Sequence, residues 1–523
     1  LDNILLKLEI TLTDEDKDLK FKQLIKRIFK HWFTAHKSLL DVIITHLPSP
    51  KQAQQYRTTH LYTHTLNSDV GSSLITCDNS GPLVIFISKI IESPQHRKDY
   101  FCFSRVFSGT VENGNIVRVI DENGNDSQVR VYRLLLMNGH PITTATSVSA
   151  GNLCVLLLRD TLPTTSTLGD ENVYHPILPL KYNRTNVVSI TVEPTVPNNY
   201  GLLVNTIRRL TASEPIVTAT TSDNGDLVLS SISMWYLEQF LDKLKNNIGG
   251  EKVKYNGYYI EYRETVTDSG NPSLAKSPNR KNRICTTACP LDEHVLKACV
   301  EKKIQYSNSQ LKLLADELQN TFEWNYEDAE YCLGFYNSEG NRCNTIINHA
   351  QVEFINEVLE SIKTGVEWVT NSGPLTESPL HGVRFDIRDI VLHADPLRRG
   401  AGQIIPTVRR ALLASILSAC PRMLEPIYLV EIYTSISTIQ ICYELLDSRN
   451  SSVFEETMNE SGDIVTLKAY LPVAKSLDFA DTLLTYTSGK AIPQLNFHHY
   501  DIIPGNPYEK HSPANDIVVK IRK

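Results

Sequence analysis

The stretch 187-VVSITVEPTVPNNYGLLVNTIRRLTA-212 decides the fold. It reads as a strand that passes into a helix. "PIVTATTS" (215–222) follows as strand, "DNGD" (223–226) as turn, "LVLSS" (227–231) as strand, "MWYLEQFLDKLKN" (234–246) as helix and "KVKYN" (252–256) as strand. The order β-α-β-β-α-β predicts a split βαβ unit, with both helices on one face of an antiparallel sheet. A similar order returns downstream. "EPIYLVEIYTS" (425–435), "SSVFEET" (451–457), "DIVTLKAYLPV" (463–473) and "AIPQLNFHHYDII" (491–503) read as strands, with "STIQICYELLDS" (437–448) and "SLDFADTLLTYTSG" (476–489) as helices. The expected fold class is therefore multidomain α+β. Two ferredoxin-like modules flank a mixed region of about 260–424.

The upstream texture differs. Residues 14–46 carry a helical period: Leu24, Ile25, Ile28, Phe29, Trp32 and Phe33, then an apolar set from Leu39 to Ile44. Pro48 and Pro50 are expected to stop it. From about 72 to 180, short β-branched runs alternate with "ENGN" (112–115 and 122–125), "MNGH" (137–140) and "SAGN" (149–152), a pattern that predicts a small β-barrel.

Composition bounds the function. A chain of 523 residues is too long for one core and predicts roughly three to five domains. With a net charge of −7 there is no global basic field, so contact with nucleic acid must come from local patches. No apolar run reaches the roughly 18 residues that span a bilayer; "PLVIFISKII" (82–91) reads as a buried strand. The start at Leu1, with no signal peptide and no helix cap before "ILLKLEI", reads as a chain entered midway. Of ten cysteines the closest pair is Cys285 and Cys289, spaced too widely and too singly for a zinc site. They read as reduced thiols of a cytosolic or nuclear protein.

Catalytic motifs are missing. "TSGKA" (487–491) and "GNPSLAKS" (270–277) fail the GxxxxGK[ST] phosphate cradle, and no GxSxG elbow marks a nucleophile. The 15 histidines, including His498 and His499 beside Tyr500, read as structural or solvated. Two basic loops stand out instead. "KSPNRKNR" (276–283) carries Lys276, Arg280, Lys281 and Arg283 with no acid, and Pro278–Asn279 makes it a turn. "LHADPLRRGAGQIIPTVRR" (392–410) sets Arg398 and Arg399 before Gly400 and Gly402. A helix follows, with Pro406 expected in its first turn, Leu412, Leu413, Ile416 and Leu417 on its buried face, and Arg409 and Arg410 outside. A cationic loop at a helix N-terminus suits phosphate groups. A solvated charge run is the blander alternative.

Residues 382–410, with "PRMLEPIYLVEI" (421–432), resemble eukaryotic and archaeal translation elongation factor 2, the ribosomal translocase. "KLEITLTDEDKDL" (7–19), "HLPSPKQAQQYR" (46–57), "FSRVFSGTVENGNIVRV" (103–119), "YIEYRETV" (259–266), "SPNRKNR" (277–283), "KAYLPVAKSLDFADTL" (468–483) and "DIIPGNPYE" (501–509) are similar to the same family, in family order. The resemblance implies five regions: the end of a GTPase domain and a linker (1–50), a β-barrel (51–184), a ferredoxin-like domain (185–257), an elongated α+β domain (258–424, with 506–523 returning to it) and a second ferredoxin-like domain (425–505). It implies a cytoplasmic monomer that binds the ribosome: rRNA, tRNA, mRNA and stalk proteins, with no membrane. GTP and magnesium are expected of a full-length member, but no residue here can be assigned to them, so GTPase activity stays unassigned.

In the family the elongated domain enters the decoding site. The resemblance therefore assigns the tip to Arg280, Lys281 and Arg283 on one loop and Arg398, Arg399, Gly400 and Gly402 on the other, with His393 and Asp395 ordering the second loop. The chain departs from the family pattern HADxxHRGGG. Arg398 stands where the family has the histidine converted to diphthamide, and Ala401 replaces the middle glycine. "SISMWYLE" (231–238) replaces GAGELHLE, and "SRNSS" (448–452) replaces a basic RRG turn. The expected function is translocation of tRNA and mRNA. The rival is a non-translocating relative serving ribosome maturation, splicing or ribosome occupancy.

Overall fold

The computed structural model describes residues 21–32, 35–62, 64–92, 100–120, 126–137, 139, 142–159, 166–171, 173, 175–178, 185–222, 225–249, 253–300, 318–319, 322, 324–336, 343–350, 352–459 and 463–522. The stretch 7–19, the first residues of the 14–46 period, Phe33 and the turn at 122–125 lie outside these residues. The chain divides into two compact units, Leu1–Lys181 and Tyr182–Lys523. Among the described residues no helix is long and apolar enough to cross a membrane.

In the first unit, helices α1 (Phe21–Trp32) and α2 (Ala35–His46) carry the expected three-and-four period. Two further helices follow that the sequence reading did not anticipate, α3 (Pro50–Leu61) and α4 (Asp69–Thr76). Pro50 opens a helix here. Ser49 caps it, accepting from Gln52 N at 3.3 Å, while the Gln52 side chain accepts from Ser49 N at 3.1 Å. Buried Gln54 then ties α3 to its neighbours by donating to the carbonyls of Leu74 (2.6 Å) and Phe107 (2.9 Å).

The strands of this unit are β1 (Val84–Glu92), β2 (Tyr100–Ser108), β3 (Thr110–Glu112), β4 (Ile116–Ile120), β5 (Asp126–Arg130), β6 (Arg133–Met137), β7 (Ile142–Ala145), β8 (Ser147–Ser149), β9 (Leu153–Leu158) and β10 (Thr167–Gly169). Eight form one antiparallel sheet in the order β5-β4-β10-β1-β2-β9-β6-β7, and β3 pairs with β8 apart from it. The expected closed barrel is corrected to an open sheet: among the described residues no pairing joins β5 to β7. Alternating hydrophobicity specifies which face of a strand is buried, not whether the two edges meet. Ile85, Ile87, Val106, Leu134 and Leu156 bury one face, while Val84, Phe86 and Phe107 pack with Leu74 of α4 on the other.

The second unit opens with the split βαβ order. β11 (Val188–Pro194), α5 (Tyr200–Ser213), β12 (Thr218–Thr221), β13 (Leu227–Ser231), α6 (Met234–Ile248) and β14 (Val253–Tyr255) build a sheet ordered β12-β13-β11-β14, antiparallel throughout. β15 (Tyr259–Ile260) extends β11's pairing, and β16 (Arg263–Val266) leads out. The C-terminal module repeats the plan with β22 (Pro421–Ser435), α11 (Ile439–Ser448), β23 (Ser452–Met458), β24 (Ile464–Pro472), α12 (Phe479–Tyr486) and β25 (Ile492–Ile502), again antiparallel with the first and third strands central. The inner faces of both modules join one apolar cluster that includes Ile190, Leu229, Phe240, Val430, Leu467 and Phe479. Each such fully buried side chain contributes about 1.5–3 kcal/mol. Tyr428 crosses between the modules, its hydroxyl donating to Ile232 O at 2.6 Å. Arg449, within the replaced "SRNSS" turn, is an internal tie that donates to the carbonyls of Lys475 and Leu477, both at 2.9 Å.

Between the modules lies the sheet β17-β18-β21-β20-β19: β17 (Ser273–Lys276), β18 (Arg283–Pro290), β19 (Cys332–Tyr336), β20 (Asn344–Asn348) and β21 (Val383–Val391). Helix α7 (Glu293–Val300) follows β18, and α8 (Tyr326–Glu330) precedes β19. β20 and β21 are parallel, joined by the crossover helix α9 (Ile355–Asn371). Helix α10 (Ala401–Ser418) packs beside α9, and both bury apolar faces with Ile284, Phe385 and Ile387 of the sheet. Gly365 permits this close approach, since a Cβ there would meet Val408 side-chain atoms at 3.0 Å. Buried Glu264 on β16 accepts from the N–H groups of Leu375, Thr376 and Ser378, and burial pushes its pKa above the ordinary carboxylate value. The last helix, α13 (Pro513–Arg522), packs Ala514 and Val518 with Leu375, Met423 and Ile503.

Candidate nucleic-acid interface

The two basic loops meet. β17 and β18 form a hairpin with Lys276 opposite Arg283, and residues 277–282 make its turn. Like charges directly opposite on a ladder destabilise it. Within the turn Arg280 has φ of +57°, the left-handed region in which a residue other than glycine or asparagine is strained. Arg280 N donates to Ser277 O at 2.7 Å and Lys281 N to Asn279 Oδ1 at 3.0 Å.

The second loop runs from the end of β21 into α10. A short 3-10 turn, Pro396–Arg398, is capped by Asp395, whose carboxylate accepts from Leu397 N at 3.1 Å. Asp395 N in turn donates to His393 Nδ1 at 3.0 Å. The structure therefore brings His393 and Asp395 together as supports of this turn.

Two asparagines that the sequence reading missed join the loops. Asn279 Nδ2 and Asn282 Nδ2 both donate to Arg398 O, at 2.8 and 2.9 Å. Asn279 N donates to Gln403 Oε1 and His393 N to Asn282 Oδ1, each at 3.0 Å. Arg410 Nη2 adds a bond to Lys276 O at 2.8 Å. Asn282 is fully buried, so its amide replaces water for both loops. An Asn three residues from another in a basic turn was the available signal; its partners, more than a hundred residues away, were not legible.

The cations differ in what they do. Arg280, Lys281 and Arg283 are exposed, and among the described residues no carboxylate lies within ion-pair distance of them. Arg398 is exposed and lies 3.3 Å from Asp395, a surface pair worth little in itself. Arg399 requires a correction. It is 4% exposed, donating to Glu357 at 2.6 Å and to the carbonyls of His393 and Ala394, with its guanidinium 4.1 Å from the Phe354 ring centroid. A solvent-excluded guanidinium pinned on three sides cannot reach a phosphate; Arg399 is an internal brace.

Helix α10 begins at Ala401 with Gly400 as N-cap, so Pro406 lies inside the helix, not in its first turn. The proline leaves Gly402 O without the usual helical donor. Leu417, expected inside, is half-exposed; the buried face is Ile404, Thr407, Val408, Ala411, Leu412, Ser415 and Ile416. Gly400 and Gly402 have ordinary φ, and a Cβ on either would meet nothing within 4 Å. The helix start carries no side-chain cap, which leaves backbone N–H groups open to an anion. Arg409 and Arg410 are exposed.

Elsewhere, Cys285 and Cys289 lie along β18, and among the described residues no group of three or more His, Cys, Asp or Glu side chains is placed to hold a metal. At the start of α6, Trp235 and Tyr236 stack edge to face at 5.0 Å.

Two family models match the chain. That of the elongation factor G C-terminus matches residues 422–511, and that of elongation factor G domain IV matches residues 303–420. Residues 303–420 and 422–511 are thus similar, in chain order, to the fourth domain and the C-terminal domain of elongation factor G. The loop at 392–400 lies within the domain IV match and the hairpin turn at 277–282 lies before it.

Proposed function

We propose that this chain acts as a ribosome-binding translation factor of the elongation factor 2 branch, with the joined loops as its RNA-contacting tip and tRNA–mRNA translocation as its task. One observation carries the reading. Two basic loops more than a hundred residues apart are bound into one end of the domain by paired asparagine donors to Arg398 O. That end presents Arg280, Lys281, Arg283 and Arg398 on a rigid mount, the arrangement that phosphate recognition requires. The strained Arg280 supports it, since strain of this kind is retained where the side chain has work to do. Gly400 and Gly402 support it too, because nothing inside the protein demands glycine there.

On this reading the partners are rRNA, tRNA, mRNA and stalk proteins, and the protein works as a cytoplasmic monomer. The boundaries proposed for its regions remain 1–50, 51–184, 185–257, 258–424 with 506–523, and 425–505. No GTP or magnesium ligand is proposed among these residues. A second reading, a binding factor that does not translocate, is favoured by one observation: Arg398 replaces the family's modified histidine.

The test is co-sedimentation with ribosomes across salt, followed by a single-round assay of tRNA–mRNA movement. The logarithm of affinity should fall linearly and steeply with the logarithm of salt. Binding without movement would favour the second reading; no salt-dependent binding would sink both.

A further inference from the structure

The C-terminal module buries one face of its sheet, through Val430, Ile432, Leu467 and Leu471, in the apolar cluster that includes Leu446 of α11 and Phe479 of α12. The register puts Leu429, Glu431, Glu455, Lys468 and Tyr470 on the opposite face. Two bulges add rings to that face. The pairing of β23 with β24 slips between Val453 and Glu455, and Phe454 leaves the ladder to stack on Tyr470, with centroids 4.5 Å apart and planes at 22°. The pairing of β22 with β25 slips between Ile427 and Tyr428, opposite His498, and the rings of His498 and His499 each lie 5.3 Å from that of Tyr470. A bulge re-aims a side chain at the cost of ladder hydrogen bonds. Both re-aimed side chains arrive here at one tyrosine, and Phe454 ends the row 49% exposed.

The charge around the row is negative. Glu431 and Glu455 face Lys468, which pairs with Glu455 at 3.0 Å. Asp501 lies opposite Glu425 and close enough to His499 to act on its imidazole. The imidazoles do not offset these carboxylates. The 2.7 Å contact between their Nδ1 atoms needs one nitrogen without a proton, and burial, together with His498, lowers the pKa of His499.

We propose that this face is a docking surface for an arginine-bearing protein segment, whose guanidinium groups lie on the exposed ring of Phe454 and along the row while Glu431 and Asp501 receive their charge. It uses no residue of the tip and stands apart from the ribosome-binding reading. A guanidinium is planar, stacks on aromatic faces and keeps its charge. A nucleobase would stack as well, but its phosphates would meet Glu431, Glu455 and Asp501. Pockets enclose most of a small ligand, whereas a sheet face meets several side chains of one chain.

Calorimetry with the 523-residue chain tests it against a synthetic peptide of alternating arginine and glycine, the lysine counterpart, and oligouridylate. The arginine peptide should bind, and the lysine peptide several-fold more weakly, because an ammonium lacks the planar surface. Phe454→Ala should weaken the arginine peptide roughly tenfold, and Phe454→Tyr should hold it within about twofold. Glu431→Gln should weaken it about threefold and lower its salt dependence. Equal binding of the two peptides, or an unchanged affinity in Phe454→Ala, overturns the inference and leaves only the attraction of a cation to an acidic chain. Oligouridylate binding that is lost in Phe454→Ala also overturns it and makes the face an RNA platform. Neither result touches the reading of the tip.

Discussion

Arg399 and Glu357, 42 residues apart in sequence, are joined by two hydrogen bonds, Nη2 to Oε2 at 2.6 Å and Nε to the same oxygen at 3.1 Å. The remaining arm of the guanidinium holds the carbonyls of His393 and Ala394 at 3.0 and 2.8 Å. One residue of a basic motif is therefore turned inward, and it fastens the loop at 393–399 to helix α9. Removing it leaves Glu357 without its guanidinium partner and two carbonyls without a protein donor.

Arg399→Ala should loosen this loop by about 1–3 kcal/mol, the scale of leaving the His393 and Ala394 carbonyls without their donor, since Glu357 itself is half-exposed and is rehydrated. Hydrogen exchange of a peptide covering 392–400 reads it directly. Arg399→Lys should recover only part of the protection, because an ammonium cannot reproduce the planar donor fork. Full protection in the alanine variant would show that the loop stands without its brace.

Asn282→Ala tests whether the two loops are one structure. The change lies in the hairpin, yet it removes a donor from Arg398 O and the acceptor of His393 N. A cost of about 1–3 kcal/mol is expected for leaving buried polar groups unpaired. Exchange should quicken in 392–400 as well as in 277–283. Quickening confined to the hairpin would separate the loops.

Much of the fold was legible because its signals are local. The run 227–231 read as strand is strand β13 over the same residues, and α6 begins at Met234 as expected. The failures share a cause. Pro50 reads as a stop and Pro406 as a first-turn residue, but Pro50 sits at the permissive first position of a capped helix and Pro406 is carried mid-helix by packing against α9. Sheet closure depends on edges distant in sequence. In the candidate site, sequence located the charges but could not sort them: exposed Arg398 and buried Arg399 are adjacent and chemically identical, and what distinguishes them is Arg399's contact with Glu357, Phe354 and the carbonyls of His393 and Ala394.

The exposed cations carry a quantitative expectation. Changing Arg280, Lys281 and Arg283 to alanine should reduce the slope of log affinity against log salt by about two to three, at roughly 0.7–0.9 for each phosphate no longer neutralised. Ribosome co-sedimentation at several salt concentrations measures it. A slope that does not move would return these residues to ordinary solvated surface.

Nucleotide binding gives an independent check on the motif reading. The 523 residues contain no GxxxxGK[ST] sequence, so the purified chain should show no saturable GTP binding by fluorescence or calorimetry. Micromolar binding would require a phosphate site of another kind within these residues.

Arg398 is the position where the tip's chemistry departs most from the family pattern. The resemblance places a modified histidine with a long cationic extension here, whereas arginine supplies a shorter, permanent charge with five donors. Its backbone is fixed by Asn279 and Asn282, and its side chain is free to leave Asp395, since that exposed pair contributes little. Two outcomes follow. Toxins that ADP-ribosylate the modified histidine should leave this protein untouched, because the acceptor imidazole is gone; an ADP-ribose adduct on the peptide around residue 398, seen by mass spectrometry after toxin and NAD treatment, would refute that. Arg398→Ala should weaken ribosome binding by about 1–3 kcal/mol if the guanidinium makes a charged hydrogen bond to RNA, with Arg398→Lys intermediate. Because Asn279 and Asn282 bind the backbone carbonyl, neither substitution removes the joint between the loops, so a loss of affinity reports the side chain's own interaction with RNA. If Arg398→Ala binds as the parent does, the tip merely occupies space, and the non-translocating reading gains.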